Sequence, residues 1–406
     1  MEKIDPYKIE LRFEKIVGMI SKSEISDRNK KILLRFKDHC ISDGLTKSRI
    51  LKLMYALKGI ALILEKDFDK VHKRDIERLV AVIQERDYTA WTKHGYKVVI
   101  KKFYKWLRDT DDEYPIEVKW IKAGINRNQL KLPSENGLIT EDDIKSLIKV
   151  ANNPRDKALI SVLYESGCRV GEILSMRIKN ITFDEYGVVI NVFGKTGARK
   201  IRIISSTPYL ATWIENHSFS DDPDNPLWIN IGVRKNSQVM YYSTVRKMLQ
   251  TLFSKAGIKK KYNPHLFRHS RATYLANHLT EFQMNQYFGW IQGSDMPSTY
   301  VHLSGKEIDN SILALNGIKG KEEDKKESSL KPKKCLKCDT LNNYDSKFCH
   351  KCAGILDIKT AMELEEKREK ELEMRKESDN VMNMLMRDPE VQSLIREKIV
   401  GMGMKV

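Results

Sequence analysis

The sequence predicts a mainly α chain with one small β-sheet, an α+β protein of several domains, and three observations carry that prediction. Through most of the chain up to residue 318, apolar residues recur at helical spacing between Ser, Thr, Asp or Asn starts and Gly stops. Strand composition is confined to one place, where YGVVINVFG and ARKIRIISS flank GKTG. The 406 residues exceed the roughly 100 to 200 of an ordinary domain, and a 41% hydrophobic share suffices for a core in each part.

In order along the chain, SDRNKKILLRFKDHCISDGL opens on Ser26 and Asp27 and closes near Gly44, a capped helix. Thr46 starts a second over TKSRILKLMYALKGIALILE, KRDIERLVAVIQER gives a third, and TAWTKHGYKVVIKKFYKWLRD a fourth. In the fourth, Tyr96, Val99, Ile100, Phe103 and Leu107 form the buried stripe. Lys93, Lys97, Lys101 and Lys105 recur every four residues on another face, which fits either a solvated lysine face or one that tracks phosphates. NRNQLKLPSENGL lacks periodicity and reads as a linker. Thr140 with Asp143 three residues on begins a further helix by a capping box. Asn153-Pro154 ends it, and RDKALISVLYESG follows. After the hairpin, YLATWIENH, STVRKMLQTLFSKAG and HLFRHSRATYLANHL return to helix. Lys319 to Lys334 has the Lys, Glu and Ser composition of a flexible connector. MELEEKREKELEMRKE is most simply a solvated helix, and the Met-rich end suits a partner helix or burial on its own neighbour.

Charge narrows the function. With 72 basic and 55 acidic residues the formal net charge is +17, which points to a polyanionic partner and says nothing about fold. Residues 1 to 130 carry 29 basic and 20 acidic groups, residues 131 to 318 carry 23 and 17, and the remainder 20 and 18. The excess therefore belongs to the first two parts rather than to a basic tail. Disorder throughout is excluded by the hydrophobic content. No run approaches the roughly 18 apolar residues of a membrane span, and the first residues lack the order of a signal peptide, so a soluble, cytoplasmic chain without a membrane partner is expected.

Cys335-x-x-Cys338 and Cys349-x-x-Cys352 are separated by ten residues. Each pair forms a knuckle that aims two thiolates at one point, and two knuckles complete a closed tetrahedral site for a structural Zn²⁺. A closed shell leaves no position for catalysis. Disulfides are the less favoured reading without a secretory signal. His350 is a bystander, and Cys40 and Cys168 read as plain buried thiols.

The middle of the chain offers, in order, Arg169, Lys195 in the GKTG turn, His265 and Arg268 in PHLFRHSRAT, Trp290, and Tyr300. Singly each has a bland explanation: a surface ion pair, a solvated turn, core packing. Together they suit phosphodiester cleavage by a protein nucleophile. Two guanidiniums clamp the non-bridging oxygens without losing protons. Tyrosine attacks as a phenolate, so its ordinary pKa near 10 must be offset by a positive field or a base, for which His265 is the candidate. Lys195 can protonate the leaving 5′ oxygen, and the Trp290 indole N–H can reach a phosphate oxygen.

The order and contexts resemble the tyrosine recombinase, or phage integrase, family over about residues 139 to 318. Gly167, Arg169 and Glu172 fit its glycine-arginine turn with an acid three positions on; Lys195 fits its hairpin lysine; Pro264, His265, Arg268 and His269 fit its Pro-His-x-x-Arg-His; Gly289 and Trp290 fit its Leu-Gly-Trp with Phe288 in place of leucine. Tyr300 lies ten residues after Trp290 where the family commonly has nine, and its YVHLSG context, similar to archaeal members, favours it over Tyr287 as nucleophile.

The resemblance implies a site-specific recombinase or integrase working through a 3′-phosphotyrosyl intermediate, with Glu172 and His269 supporting the site and no catalytic cofactor. It implies double-stranded DNA as partner and a homo-oligomer on DNA, a tetramer. Residues 1–127 would be the helical core-binding domain, 128–138 a linker, 139–318 the catalytic domain, 319–334 a flexible linker, 335–356 the zinc ribbon and 357–406 a charged helix and tail. Arg199 and Arg271 join the four lysines as expected DNA contacts. The segment 306–317 would dock on a neighbouring protomer or pack in cis, and the ribbon or tail could engage a host factor. A type IB topoisomerase and a non-catalytic DNA-binding zinc protein are the alternatives.

Overall fold

The computed structural model describes residues 4–110, 113–125, 137–194, 196–232, 238–303, 315–316 and 328–401. Its first part is helical: α1 (Ile9–Glu14), α2 (Ile16–Ser21), α3 (Asp27–Ser42), α4 (Lys47–Leu64), α5 (Lys73–Glu85), α6 (Ala90–Leu107) and the short α7 (Ile116–Lys119). Ser26 caps α3 by accepting from the Asn29 N–H, and Thr89 caps α6 by accepting from Thr92. Phe103 of α6 sits edge-on to Phe36 of α3 at 5.2 Å and to Phe68 at 4.7 Å, all fully buried. Truncating such an aromatic costs about 3–5 kcal/mol. Asn29 is buried but satisfied: it donates to Lys66 O and accepts from the Phe68 N–H, which ties α3 to the chain after α4. The helices α1 and α2 have no counterpart in the sequence reading; each has six residues, too few to display a period.

The second part is built around α9 (Pro154–Ser166), buried on nearly every face. Against it pack α8 (Glu141–Val150), α11 (Thr207–Glu215) and α13 (Pro264–Ala276), with α10 (Val170–Leu174), α12 (Tyr242–Lys255), α14 (Glu281–Phe288) and α15 (Met296–Leu303) completing the helices. Asn153 caps α9 with Pro154 in its first turn, and the reciprocal Thr140–Asp143 capping box opens α8 as expected. The sheet has three antiparallel strands, β1 (Ile181–Asp184), β2 (Gly187–Gly194) and β3 (Gly197–Ile203) in that order. The expected hairpin is β2–β3. The edge strand β1 was not anticipated, because ITFD is mostly exposed and shows no inward alternation. Register pairs Val188 with Ile203 and Ile190 with Ile201, all buried on one face.

After residue 328 the chain packs back on this body: Leu330 joins its core, Tyr344 lies against it, and Ser328 and Ser329 donate to Glu141. The strands β4 (Lys333–Lys334) and β5 (Leu341–Asn342) pair antiparallel. They are followed by α16 (Ile358–Arg387) and α17 (Pro389–Gly401). Both are exposed along their length, including Met382, Met384 and Met386, so the Met-rich end is not covered by the cysteine knuckles. Among the described residues no helix is long and apolar enough to cross a membrane. Lys195, most of the first linker and nearly all of 306–317 lie outside the described residues.

Candidate active site

Gly167 ends α9 with φ 56°, the left-handed region. A Cβ there would stand 2.8 Å from the Phe288 ring and 3.1 Å from Arg271 Cβ. This turn delivers Arg169 to the start of α10. There the Arg169 backbone N–H and Nη1 both donate to Glu172, each at 2.9 Å, while Nη2 reaches toward Gly289 O at 3.5 Å. Glu172 is 5% exposed. Burial pushes its carboxyl up, and the Arg199 guanidinium, followed by the Arg169 donors, outweighs burial and holds it below the usual range.

On α13, Arg268 is buried and donates Nη1 to Gly167 O at 3.1 Å and Nη2 to Phe288 O at 2.7 Å. Its guanidinium lies over the Phe288 and Trp290 rings, 5.0 and 5.4 Å from their centroids. Burial, then the neighbouring Arg169 charge, pushes it down to about 10, still protonated at neutral pH. His265 begins the same helix and is pushed down by burial and by Arg268 and Arg169. Arg169, His265 and Arg268 share the lining of one cleft of 580 Å³ with Asn263, Tyr242 and Tyr7.

Tyr7 is a residue that sequence reading missed. Pro6 O accepts from the Tyr242 N–H at 3.0 Å, the Tyr7 and Tyr242 rings meet at 5.4 Å, and the Tyr7 ring covers Gly171, where a Cβ would clash at 2.9 Å. No local signal marks such a contact between residues so far apart in the chain.

Tyr300 is 2% exposed on α15. Its ring stacks on Trp290 at 5.5 Å and 6°, and its hydroxyl lies 2.7 Å from His269 Nδ1. Burial pushes the Tyr300 phenol up to about 12 despite Arg268, and burial, His265 and Arg268 push the His269 imidazole down to about 4. Both are therefore neutral near pH 7, and with the imidazole proton on Nε2 the phenol O–H donates to Nδ1. Sequence reasoning assigned this contact to His265. On α13 the two imidazoles are one turn apart, with centroids 5.7 Å from each other, and among the described residues it is His269 that meets the hydroxyl.

The expected DNA contacts fare differently. Lys93, Lys97, Lys101 and Lys105 do share a face, but Lys93 donates to Gln84 O, Lys97 to Lys122 O and Lys101 to Ile121 O, and Lys101 and Lys105 lie over the Tyr114 ring. Carbonyls past the short α7 need donors, and Lys97 and Lys101 supply them, while Lys93 serves a carbonyl in the last turn of α5. Arg199 is not a surface group: its side chain is 9% exposed and paired with Glu172 at 2.7 Å. Arg271 is half-buried over Tyr274.

At the other end of the chain the Sγ atoms of Cys335, Cys338, Cys349 and Cys352 all lie within 4.8 Å of one another. Cys335–Cys352 and Cys338–Cys349 stand 3.5 and 3.6 Å apart. A disulfide needs about 2.05 Å, whereas four sulfurs at about 2.3 Å from a tetrahedral Zn²⁺ stand about 3.8 Å apart. The knuckles repeat one design: Asp339 N–H donates to Cys335 O and Ala353 N–H to Cys349 O, with Asp339 and Ala353 both at φ 55°. The donor set fits zinc. His350 instead donates its backbone N–H and its Nδ1–H to Asn342 Oδ1.

The sequence model described as the Phage integrase family matches residues 138–307. The "Tyrosine recombinase" of Pseudothermotoga lettingae is 28% identical over 221 residues, 53% of this chain and 72% of the relative. "Tyrosine recombinase XerA" of Pyrococcus furiosus is 24% identical over 70% of this chain and 94% of its own length. Among solved structures, the XerH site-specific recombinase bound to palindromic difH substrate, in a post-cleavage complex, has a TM-score of 0.55 at 16% identity, covering 78% of this chain and 98% of that one. A lambda integrase dimer bound to a COC′ core site gives 0.53 at 14% identity, covering 68% and 78%.

Proposed function

We propose that this chain is a tyrosine recombinase of the phage integrase family, whose sequence model matches residues 138–307, and that it cuts and rejoins specific DNA sites through a phosphotyrosine at Tyr300. The observation that carries the reading is the meeting of Arg169, His265 and Arg268 on one cleft while the Tyr300 hydroxyl rests on a neutral imidazole nearby.

Tyr300 Oη attacks the scissile phosphorus as its proton passes to His269 Nδ1. Arg169 and Arg268 bind the non-bridging oxygens where charge grows. Each keeps N–H donors beyond those spent on the protein, and Arg268, pushed down to about 10, stays protonated at neutral pH. His265, held neutral, adds a hydrogen bond to the same phosphate. The P–O5′ bond breaks, Lys195 gives its proton to O5′, and a 3′-phosphotyrosyl link remains with a free 5′ hydroxyl. In the second half the 5′ hydroxyl of a partner strand gives its proton to Lys195 as it attacks phosphorus, and Tyr300 leaves, reclaiming its own proton from His269. The link conserves the bond energy, so the sequence balances without a nucleotide or catalytic metal.

DNA, in the form of a duplex site, is the partner; in support, the similar XerH and lambda integrase structures are bound to a palindromic difH substrate and to a COC′ core site. Four protomers on two sites, a core-binding role for residues 1–127 and a catalytic domain at 139–318 complete the reading. Cys335, Cys338, Cys349 and Cys352 would hold a Zn²⁺ that fixes the knuckles against the catalytic body. The test is a nicked suicide duplex from the site at which the wild-type chain is trapped on DNA. Wild type should give an adduct resistant to denaturation; an adduct that persists in Tyr300→Phe removes Tyr300 as nucleophile. Relaxation of supercoils by a monomer without strand exchange would favour the topoisomerase alternative.

A further inference from the structure

We propose that Arg199 is a positioning residue that clamps the β2–β3 hairpin against α10 and the end of α14, and so acts on the proton transfer assigned to Lys195, which stands in sequence between the two strands. This rests on the reading of the chain as a recombinase in which Lys195 protonates the leaving oxygen.

The register decides which way Arg199 points. It pairs with Val192, and the two continue the rows Val188–Ile203 and Ile190–Ile201 on the buried face of the sheet. Arg199 thus takes the last inward position, where the apolar face ends and the catalytic groups begin. All three of its nitrogens are engaged. Nη1 donates to Glu172 Oε1 at 3.1 Å, Nη2 to Glu172 Oε2 at 2.7 Å and Nε to Tyr287 O at 2.9 Å, with Cys168 Sγ 3.8 Å from Nη2. One planar side chain on β3 therefore binds α10 in two places and α14 in a third. An ammonium, a point donor, cannot hold that geometry. The same Glu172 carries Arg169 on its other side.

A second tie lies at the tip. Thr196 Oγ1 donates to Gly289 O at 3.2 Å. A Cβ on Gly289 would come within 2.9 Å of Arg199 Nη1 and 3.0 Å of Thr196 Oγ1, so glycine is what lets the hairpin close on this backbone. Lys195 is the neighbour of one tie and lies four residues before the other. A general acid works only within hydrogen-bond reach of its target, and a displacement of about 1 Å is enough to lose much of its effect. The Arg199 charge is consumed by Glu172 in a nearly dry setting and is not offered to a phosphate.

The test uses the full chain and the duplex defined by its own covalent trapping, made with either oxygen or sulfur at the bridging 5′ position. A 5′ thiolate leaves without a proton, so sulfur dispenses with the general acid. Arg199→Met is expected to slow adduct formation on the oxygen duplex about 100-fold and to regain the wild-type rate on the sulfur duplex. Arg199→Lys should behave alike, and the salt dependence of DNA binding should keep the wild-type slope. Equal slowing on both duplexes, no slowing, or a slope reduced by about one, the mark of a lost phosphate contact, each overturns the proposal. Should the Arg199 variants fail to fold, Thr196→Val cuts only the tip tie and must show the same preference for sulfur with a smaller defect; equal slowing there overturns it too. Absence of any Tyr300-dependent adduct in wild type is a separate result: it removes the recombinase reading, and the clamp with it.

Discussion

Replacing His269 by Ala deletes the acceptor of the Tyr300 O–H in a site where the phenol is 2% exposed. Two effects follow, and they differ in size. Leaving a buried hydroxyl unpaired costs about 1–3 kcal/mol of stability. On the proposed proton path, removing His269 costs about 100-fold or more in the cleavage step, which is about 2.7 kcal/mol of barrier. The demand on a base is severe here, because burial has raised the phenol to about 12. Single-turnover adduct formation on the nicked duplex separates the two effects, since folded enzyme can be counted independently by its unfolding transition. His269→Gln, whose amide oxygen can accept the same hydrogen bond, should recover stability but not rate. His265→Ala, which removes a neutral phosphate donor, should depend less steeply on pH than His269→Ala. If His269→Ala cleaves at the wild-type rate while His265→Ala is the inactive variant, the proton path drawn from the 2.7 Å contact is wrong.

His269 also makes stability depend on pH. Its folded value, about 4, lies below the ordinary 6.5, so the unfolded chain binds a proton first and stability falls as pH drops from about 6.5 towards 4, by at most about 3 kcal/mol. Urea midpoints across that window should slope for wild type and flatten for His269→Gln. Gly167→Ala forces a side chain into φ 56° and 2.8 Å from Phe288; a loss of about 2 kcal/mol or more is expected in the urea midpoint, and an unchanged midpoint would mean the turn relaxes freely. Mass spectrometry under native conditions should find one zinc per chain, lost in Cys335→Ser/Cys338→Ser. Chelation should expose all four thiols to a thiol reagent while the adduct still forms, and a cleavage step that stops on chelation would contradict the mechanism.

Legibility followed the range of the interaction. Ser26, Thr89, Thr140 and Asn153 cap helices by bonds that span three residues, so their sequence signatures are complete. The Cys335 and Cys349 knuckles are equally local, and their spacing alone implies the tetrahedral cluster. Arg169, His265 and Arg268 were legible by motif, since each stands at a helix start or one turn inside a helix. The lysine face of α6 was seen correctly as a face, but not that the carbonyls of residues 121 and 122 would claim it. Arg199 was expected as a DNA contact, while its alternation with Ile201 and Ile203 on β3 already pointed it inward.

What the amino-acid sequence determined by itself is therefore the mainly helical plan, the β2–β3 hairpin and the two cysteine knuckles, which rest on periodicity, capping and spacing within a few residues. The set of charged groups was singled out by resemblance to a family. Tertiary structure alone decided who meets whom: His269 rather than His265 on a hydroxyl 31 residues away, Arg199 on a carbonyl 88 residues away, and Tyr7 on the wall of the cleft. The physical reason is burial. Packing removes water from Glu172, Arg268, His269 and Tyr300, sets their protonation, and obliges each polar atom to find a partner that only the folded chain brings near.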